Sequence, residues 1–234
     1  MKVRNNIIAH RGMFDNKTIP ENSYPAFKKA IEERYDFELD VHLTMDNQLV
    51  VFHDFNLKRM CGVDIDIQKT TYEELLKYNL LNTDLKIPLL RDILKLNNDH
   101  SLIDIEIKNT KRIKQTVYFL MKELSNYNNY IIKSFNPRIV RYIRKNHPNV
   151  ECGLLLTHDY KNRLYNLILR RKFILNYSKA NFIAISKQLY KRDQYKELSN
   201  KYPTFVWTIK KKDEFIDDKD IVNVCNNLPI KKKY

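Results

Sequence analysis

Two histidines and two acids within residues 7–54 are spaced in a way that could do acid/base and metal chemistry. His10 and His53 each end a short apolar run, IIAH and LVVFH, and between them FELDV carries Glu38 and Asp40. In an extended strand residues i and i+2 project from the same face, so these two carboxylates share one space. They repel unless something positive sits between them. A hard divalent cation such as Mg²⁺ or Ca²⁺, which prefers oxygen ligands, meets that need. A third acid follows in LIDIEIK, where Glu106 and Lys108 repeat the spacing on another strand. Histidine titrates near neutrality and can donate or accept a proton in such a place. The set predicts a metal site that handles phosphate.

The apolar pattern supplies the elements that must position these groups. Strand-like runs occur at 7–10, 37–42, 49–53, 102–107, 130–134, 150–156, 182–185, 204–209 and 221–224. Their continuous apolar character suits strands covered on both faces, as in a parallel sheet. Asn136 followed by Pro137 has the form of an N-cap with a first-turn proline, ahead of Ile139, Val140 and Ile143 at helical spacing. Asn22 or Ser23 opens a helix with Phe27, Ala30 and Ile31 on one face, and Thr70 and Glu73 have the spacing of a capping box. Strand–helix alternation implies right-handed βαβ units, and eight of them close naturally into a barrel. The run 49–53, which follows 37–42 after the turn-like MDNQ, is expected as a short extra strand. Barrel enzymes work at the carboxyl ends of their strands, where His10, Glu38, Asp40, His53, Glu106 and Lys108 all fall.

HRG at 10–12, PEN at 20–22, ELD at 38–40, Thr44 with Asp46, HD at 53–54 and EIK at 106–108 follow a family pattern in order and spacing. SF at 134–135, WT at 207–208 and a terminal loop near Pro229 extend it almost end to end. The chain resembles the glycerophosphodiester phosphodiesterases. That resemblance implies an α/β fold, a (β/α)₈ TIM barrel forming one domain over 1–234 with a small insertion at about 54–100, after the second barrel strand. It implies metal-dependent hydrolysis of a glycerophosphodiester to sn-glycerol 3-phosphate and an alcohol. Glu38, Asp40 and Glu106 would hold Mg²⁺ or Ca²⁺, and His10 and His53 would be the acid/base pair. Arg11 and Lys108 would face the phosphate, with Phe135 and Trp207 lining the pocket, where an indole face suits a choline-like cation.

Several residues carry a second meaning. Arg11 could instead pair with Glu21, Lys108 with Glu106 or another acid, and His42 could face the site or cap its strand. Asp104 shares the face of Glu106 and could be a deeper inward acid. The family's terminal loop often holds an aspartate before proline; here the segment reads Cys225, Asn226, Asn227, Leu228, Pro229. Glycines usual in the family's loops are also absent, as at Tyr35 and Asp36. A lysophospholipase D acting on lipids with one acyl chain, and a catalytically silent barrel that binds phosphoryl ligands, are the rival functions.

The bulk composition is that of an ordinary globule. Of 234 residues 43% are apolar and 30% charged, and no apolar run approaches the length of a membrane span. The N-terminal segment lacks a signal-peptide core, which leads to the expectation of a cytoplasmic protein. Three widely spaced cysteines form no C-x-x-C pair, so neither zinc nor a disulfide framework is signalled. The net charge of +14 reads mainly as a basic solvated surface, with weak attraction to an anionic membrane as its second meaning. No interleaved basic–aromatic motif is evident in sequence, so a small-molecule substrate and no nucleic acid are expected.

Overall fold

The protein is described by a computed structural model covering residues 3–157 and 171–226. Its apolar runs form β1 (Ile7–Ala9), β2 (Asp36–Leu43), β3 (Leu49–Val51), β4 (Ile103–Ile107), β5 (Tyr130–Ser134), β6 (Cys152–Leu156), β7 (Phe182–Ser186), β8 (Thr204–Ile209) and β9 (Ile221–Cys225). Helices fill the intervals: α1 (Tyr24–Glu32), α2 (Lys58–Cys61), α3 (Tyr72–Leu75), α4 (Leu90–Asn97), α5 (Ile113–Leu124), α6 (Pro137–Asn146), α7 (Arg171–Ser178), α8 (Lys187–Tyr190) and α9 (Asp193–Ser199). All strands but β3 pair in parallel in the order β1-β9-β8-β7-β6-β5-β4-β2, and a β1–β2 pairing closes the ring. The result is an eight-stranded parallel barrel with helices between strands. β3 lies antiparallel against β2, with Leu43 opposite Leu49, so the ninth strand is the outer arm of a hairpin.

Strand parity sorts the side chains. Phe37, Leu39 and Val41 of β2, with Ile105 and Ile107 of β4, pack outward against Phe27, Ile93, Val117, Leu120 and Ile143 of the helices. The intervening residues point inward, and the barrel interior is filled by a second apolar cluster that includes Ile8, Ile131, Leu155, Phe182, Phe205 and Val224. The inward acids must therefore be balanced by cations placed beside them, because apolar side chains offer buried charges no partners.

Residues from Phe52 to Leu89 form the excursion after β3, closed over its own core of Val50, Leu57, Met60, Ile67, Leu75 and Leu80. The expected excursion of 54–100 is thus too long. Residues 90–97 are α4, whose Leu90, Ile93 and Leu94 join the main core and which packs on α1, β3 and α5. The helix cap also shifts by one residue: Thr71, not Thr70, accepts from the Glu74 N–H at 3.3 Å. Thr70 is still held by the preceding turn, its hydroxyl donating to the Asp66 carbonyl at 2.8 Å. At α6 the expected cap holds, Asn136 accepting from the Arg138 N–H at 2.9 Å.

With so few glycines, left-handed turn positions fall to asparagine, as at Asn16, Asn22, Asn47 and Asn98, whose short polar side chain tolerates that backbone. Arg34 takes the left-handed position before β2 at φ 60°, which is why Tyr35 and Asp36 need no glycine. The terminal-loop residues from Asn227 to Pro229 lie outside the described residues, as does His158. No helix among the described residues is long and apolar enough to cross a membrane.

Candidate active site

Beyond Ala9 the chain turns back across the carboxyl end of the barrel, with Arg11 at φ 57° and Gly12 at φ 79°. A Cβ on Gly12 would stand 2.8 Å from the carbonyl carbon of Ala26, so both the backbone angle and the close approach require glycine there. This turn aims the Arg11 N–H at Glu38 Oε2, 3.0 Å away. It also sets His10 Nε2 3.9 Å from the same oxygen. Asn22, itself left-handed, donates its N–H to the Arg11 carbonyl at 3.0 Å and its side-chain amide to Asp40 Oδ2 at 2.8 Å. Two loop segments and one strand thereby lock together through backbone and amide contacts.

Glu38, Asp40 and Glu106 are buried, and one oxygen of each lies within 4.8 Å of the others. Parallel register sets Asp40 directly opposite Glu106 on the neighbouring strand. Three converging carboxylate oxygens in a buried setting fit a hard divalent cation. Two lysines and an arginine already offset the charge. Lys108 Nζ donates to Glu106 Oε1 at 2.7 Å and to Asp40 Oδ1 at 3.2 Å. Lys133 Nζ donates to Asp104 Oδ2 at 2.6 Å and stands 3.5 Å from Glu38 Oε1. Arg11 lies between Glu21, at 2.6 Å, and Asp40, at 3.5 Å.

The carboxyls respond in opposite directions. Burial raises Glu38, and the charges of Asp40, Glu106 and Asp104 add to that rise against Lys133. Burial acts on Asp40 too, but Lys108, His53 and Arg11 outweigh it and hold Asp40 well below the usual carboxylate range. Burial, reinforced by Arg11, pushes the His10 imidazole down to about 3. A neutral ring follows, and the Asn226 amide oxygen 2.5 Å from Nδ1 assigns the proton to that nitrogen. Nε2 is then left as the acceptor facing Glu38. His53 is oriented differently, its Nδ1 2.5 Å from Asp54 Oδ1. Asp54 is held by Arg59 at 2.6 Å, and Arg59 reaches Glu21 at 2.7 Å, which links the supports of His53 and Arg11.

A cavity of about 260 Å³ opens among His10, Arg11, Glu38, His53, Glu106 and Lys133. Phe135 and Trp207 form its apolar wall, edge to face with centroids 5.6 Å apart. The indole Nε1 is buried without a hydrogen-bond partner among the described residues. His42 faces inward as its parity allows, but its ring sits behind the site. Gln68 donates to its Nδ1 at 3.1 Å, and its Nε2 lies 3.5 Å from the His53 carbonyl.

A model of the glycerophosphoryl diester phosphodiesterase family matches residues 10–224, nearly the whole chain. The chain belongs to that family. A glycerophosphodiester phosphodiesterase of Caldanaerobacter subterraneus subsp. tengcongensis is 35% identical over 161 residues, covering 64% of this chain and 65% of that protein. The glycerophosphodiester phosphodiesterase of Thermotoga maritima superposes with a TM-score of 0.74 at 25% identity, over 97% of this chain and 95% of its own. A phosphodiesterase of Oleispira antarctica, solved with its product sn-glycerol 3-phosphate, superposes with a TM-score of 0.79 at 18% identity, over 94% and 92% of the two chains. The likeness of these barrels accords with the closed ring and outer hairpin arm described above.

Of the expected residues, His10, Arg11, Glu38, His53, Glu106, Phe135 and Trp207 line the cavity, and Asp40 and Lys108 lie against Glu106 beside it. Arg11 does pair with Glu21, and Lys108 with Glu106 and Asp40. The lysine that lines the cavity is Lys133, a buried side chain which sequence reading passed over. Its signal was present: in YIIKSF it is a charged residue inside an apolar strand, and parallel register places it opposite Glu106. Asn226 and the Arg59–Glu21 contact gave no such signal, since the partners are 216 and 38 residues apart in the chain.

Proposed function

We propose that this chain hydrolyses glycerophosphodiesters to sn-glycerol 3-phosphate and an alcohol, using Mg²⁺ or Ca²⁺ held by Glu38, Asp40 and Glu106. The observation that carries the reading is the convergence of three buried carboxylate oxygens and two differently supported histidines on one small cavity. A bound divalent cation would polarise the phosphate oxygens as a Lewis acid. Arg11 and Lys133, which line the cavity, with Lys108 behind them on Asp40 and Glu106, add positive charge where negative charge develops in phosphoryl transfer. His10, neutral and with Nε2 free to accept, takes the proton of the nucleophile, either water or the substrate's own glycerol hydroxyl. His53, its Nδ1–H held on Asp54, acts as the imidazolium, giving its Nε2 proton to the leaving alkoxide and returning to the neutral ring. Phe135 and Trp207 bound the space beside the scissile bond.

A lysophospholipid substrate is the second reading. It is favoured by a larger cavity of about 1320 Å³ that shares Phe135, Leu155 and Thr157 with the first and is also bordered by Ile113, Leu154 and Ile174. The test is release of glycerol 3-phosphate from glycerophosphocholine and glycerophosphoethanolamine with Mg²⁺, Ca²⁺ or chelator, beside His10→Ala. Metal-dependent release that disappears in the variant supports the proposal. Absence of release with either metal overturns it for these substrates, and lysophosphatidylcholine then becomes the substrate to assay.

A further inference from the structure

The chain's excess positive charge is segregated in one stretch of the sequence. Basic residues occur throughout, but acids do not: residues 107–192 hold 19 Lys and Arg against three acids, while the rest holds 23 against 25. The uneven partner, the acid, hides the asymmetry from a reading of where lysines fall.

Three described helices of this stretch form a contiguous outer face. α5 presents Lys114, Tyr118 and Lys122, spaced four apart and exposed, with Tyr118 at 63%. α6 presents Arg138, Arg141 and Lys145, all exposed. α7 presents Phe173, 65% exposed, and Tyr177 one turn later. α5 packs on α6 and α6 on α7. The Arg141 guanidinium lies 4.7 Å from the Tyr177 ring centroid and donates to its carbonyl at 2.7 Å. Arg144 donates to the Lys179 carbonyl at 3.2 Å. Among the described residues of these three helices the only acid is Glu123, which is half-buried. The first turns of α5 and α6 follow β4 and β5 directly, so the face reaches the catalytic end of the barrel.

We propose that the α5–α6–α7 face is a docking surface for an anionic phospholipid bilayer. Two features fit that partner. Lysines and arginines within a Debye length of an anionic leaflet are attracted to it, and their contributions accumulate. Exposed Phe and Tyr rings set among them match the polar–apolar boundary where interfacial helices seat their aromatic side chains. The choice of lipid over another polyanion rests on the proposed phosphodiester substrate, whose chemistry is that of a phospholipid headgroup. Docking by this side would hold the cavity entrance near the leaflet surface.

The experiment is cosedimentation of the full chain with vesicles of phosphatidylcholine containing increasing phosphatidylglycerol, at low and high salt. Binding is expected to rise with the anionic fraction and to vanish at high salt. Lys114→Ser, Lys122→Ser and Lys145→Ser combined should reduce partitioning by on the order of 100-fold. Phe173→Ser should weaken it less, and in a manner insensitive to salt. Lys28→Ser, Lys29→Ser and Lys95→Ser on the adjoining α1–α4 side, equal in charge lost, should change it little. Equal binding by the two triple variants, no binding, or binding indifferent to anionic lipid would overturn the proposal. Preference for duplex DNA or RNA over the anionic vesicles at matched salt would overturn the assignment to lipid. Hydrolysis of soluble glycerophosphocholine, assayed in parallel and unchanged in the face variants, separates failure of this surface from failure of the catalytic reading.

Discussion

Lys133 Nζ sits 2.6 Å from Asp104 Oδ2 inside the barrel, with both side chains essentially sealed from water. Burying two charges is tolerated only when each satisfies the other, and here Glu38, 3.5 Å from the same ammonium, draws on the pair as well. The ion pair thus ties the floor of the cavity to the acid that accepts the Arg11 N–H.

Removing one partner leaves a buried charge uncompensated. Lys133→Met is expected to cost about 3–5 kcal/mol of unfolding free energy. Lys133→Met combined with Asp104→Leu should recover part of the loss, because an apolar pair replaces the ionic one. Recovery stays incomplete because Glu38 has also lost its neighbour. Chemical denaturation of the parent, each single variant (Lys133→Met and Asp104→Leu) and the double checks this, and full additivity of the single effects would refute the coupling.

The Asn226 amide fixes the tautomer of His10. Asn226→Ala should lower kcat on the soluble diester by about tenfold to a hundredfold, a part of the range ascribed to acid/base catalysis. Asn226→Asp should retain more activity than alanine, since a carboxylate still accepts the Nδ1 proton. His10→Ala should fall by about 10²–10⁴-fold. Steady-state kinetics on the three variants distinguishes tautomer control from loss of the base.

Glu123 offers a pH test away from the site. Burial pushes its carboxyl up to about 7, with Asp92 adding to and Arg91 opposing the shift, and its Oε2 is buried without a partner among the described residues. A raised folded-state pKa means that the folded chain holds the proton more tightly than the unfolded one. Stability from this group is present below about pH 4.5 and is lost as pH rises to about 7. Glu123→Gln should therefore match the parent near pH 4 and exceed it at pH 8 by about 1 kcal/mol, after allowance for partial solvent exposure. Thermal melts at the two pH values read the difference.

Gly153 lies in β6 beneath the ring of Phe182, where an added Cβ would come within 2.2 Å of the ring carbons. The aromatic ring is packed on Phe205 with centroids 4.9 Å apart and has no room to retreat. Gly153→Ala should destabilise by about 1–3 kcal/mol through overpacking. Gly153→Ala together with Phe182→Leu should regain stability relative to the single variant, as measured by denaturation.

Much of the site is written in strand parity, which is local. Glu38 with Asp40, and Glu106 with Lys108, point inward because residues two apart on a strand must, and any parallel barrel would bring them to one end. The turn at Gly12 and the N-cap at Asn136 are likewise local, set by backbone angles and a hydrogen bond within a few residues. Tertiary structure decided what these groups touch. Asn226 meets His10, Arg59 bridges Asp54 and Glu21, and Lys133 chooses Asp104, because barrel closure brings distant segments within hydrogen-bonding range. It also assigned 90–97 to the barrel's helix layer, where Leu90, Ile93 and Leu94 could be buried. Spacing along the chain sets direction from the backbone, whereas a charge's partner depends on which buried groups the closed sheet leaves within reach.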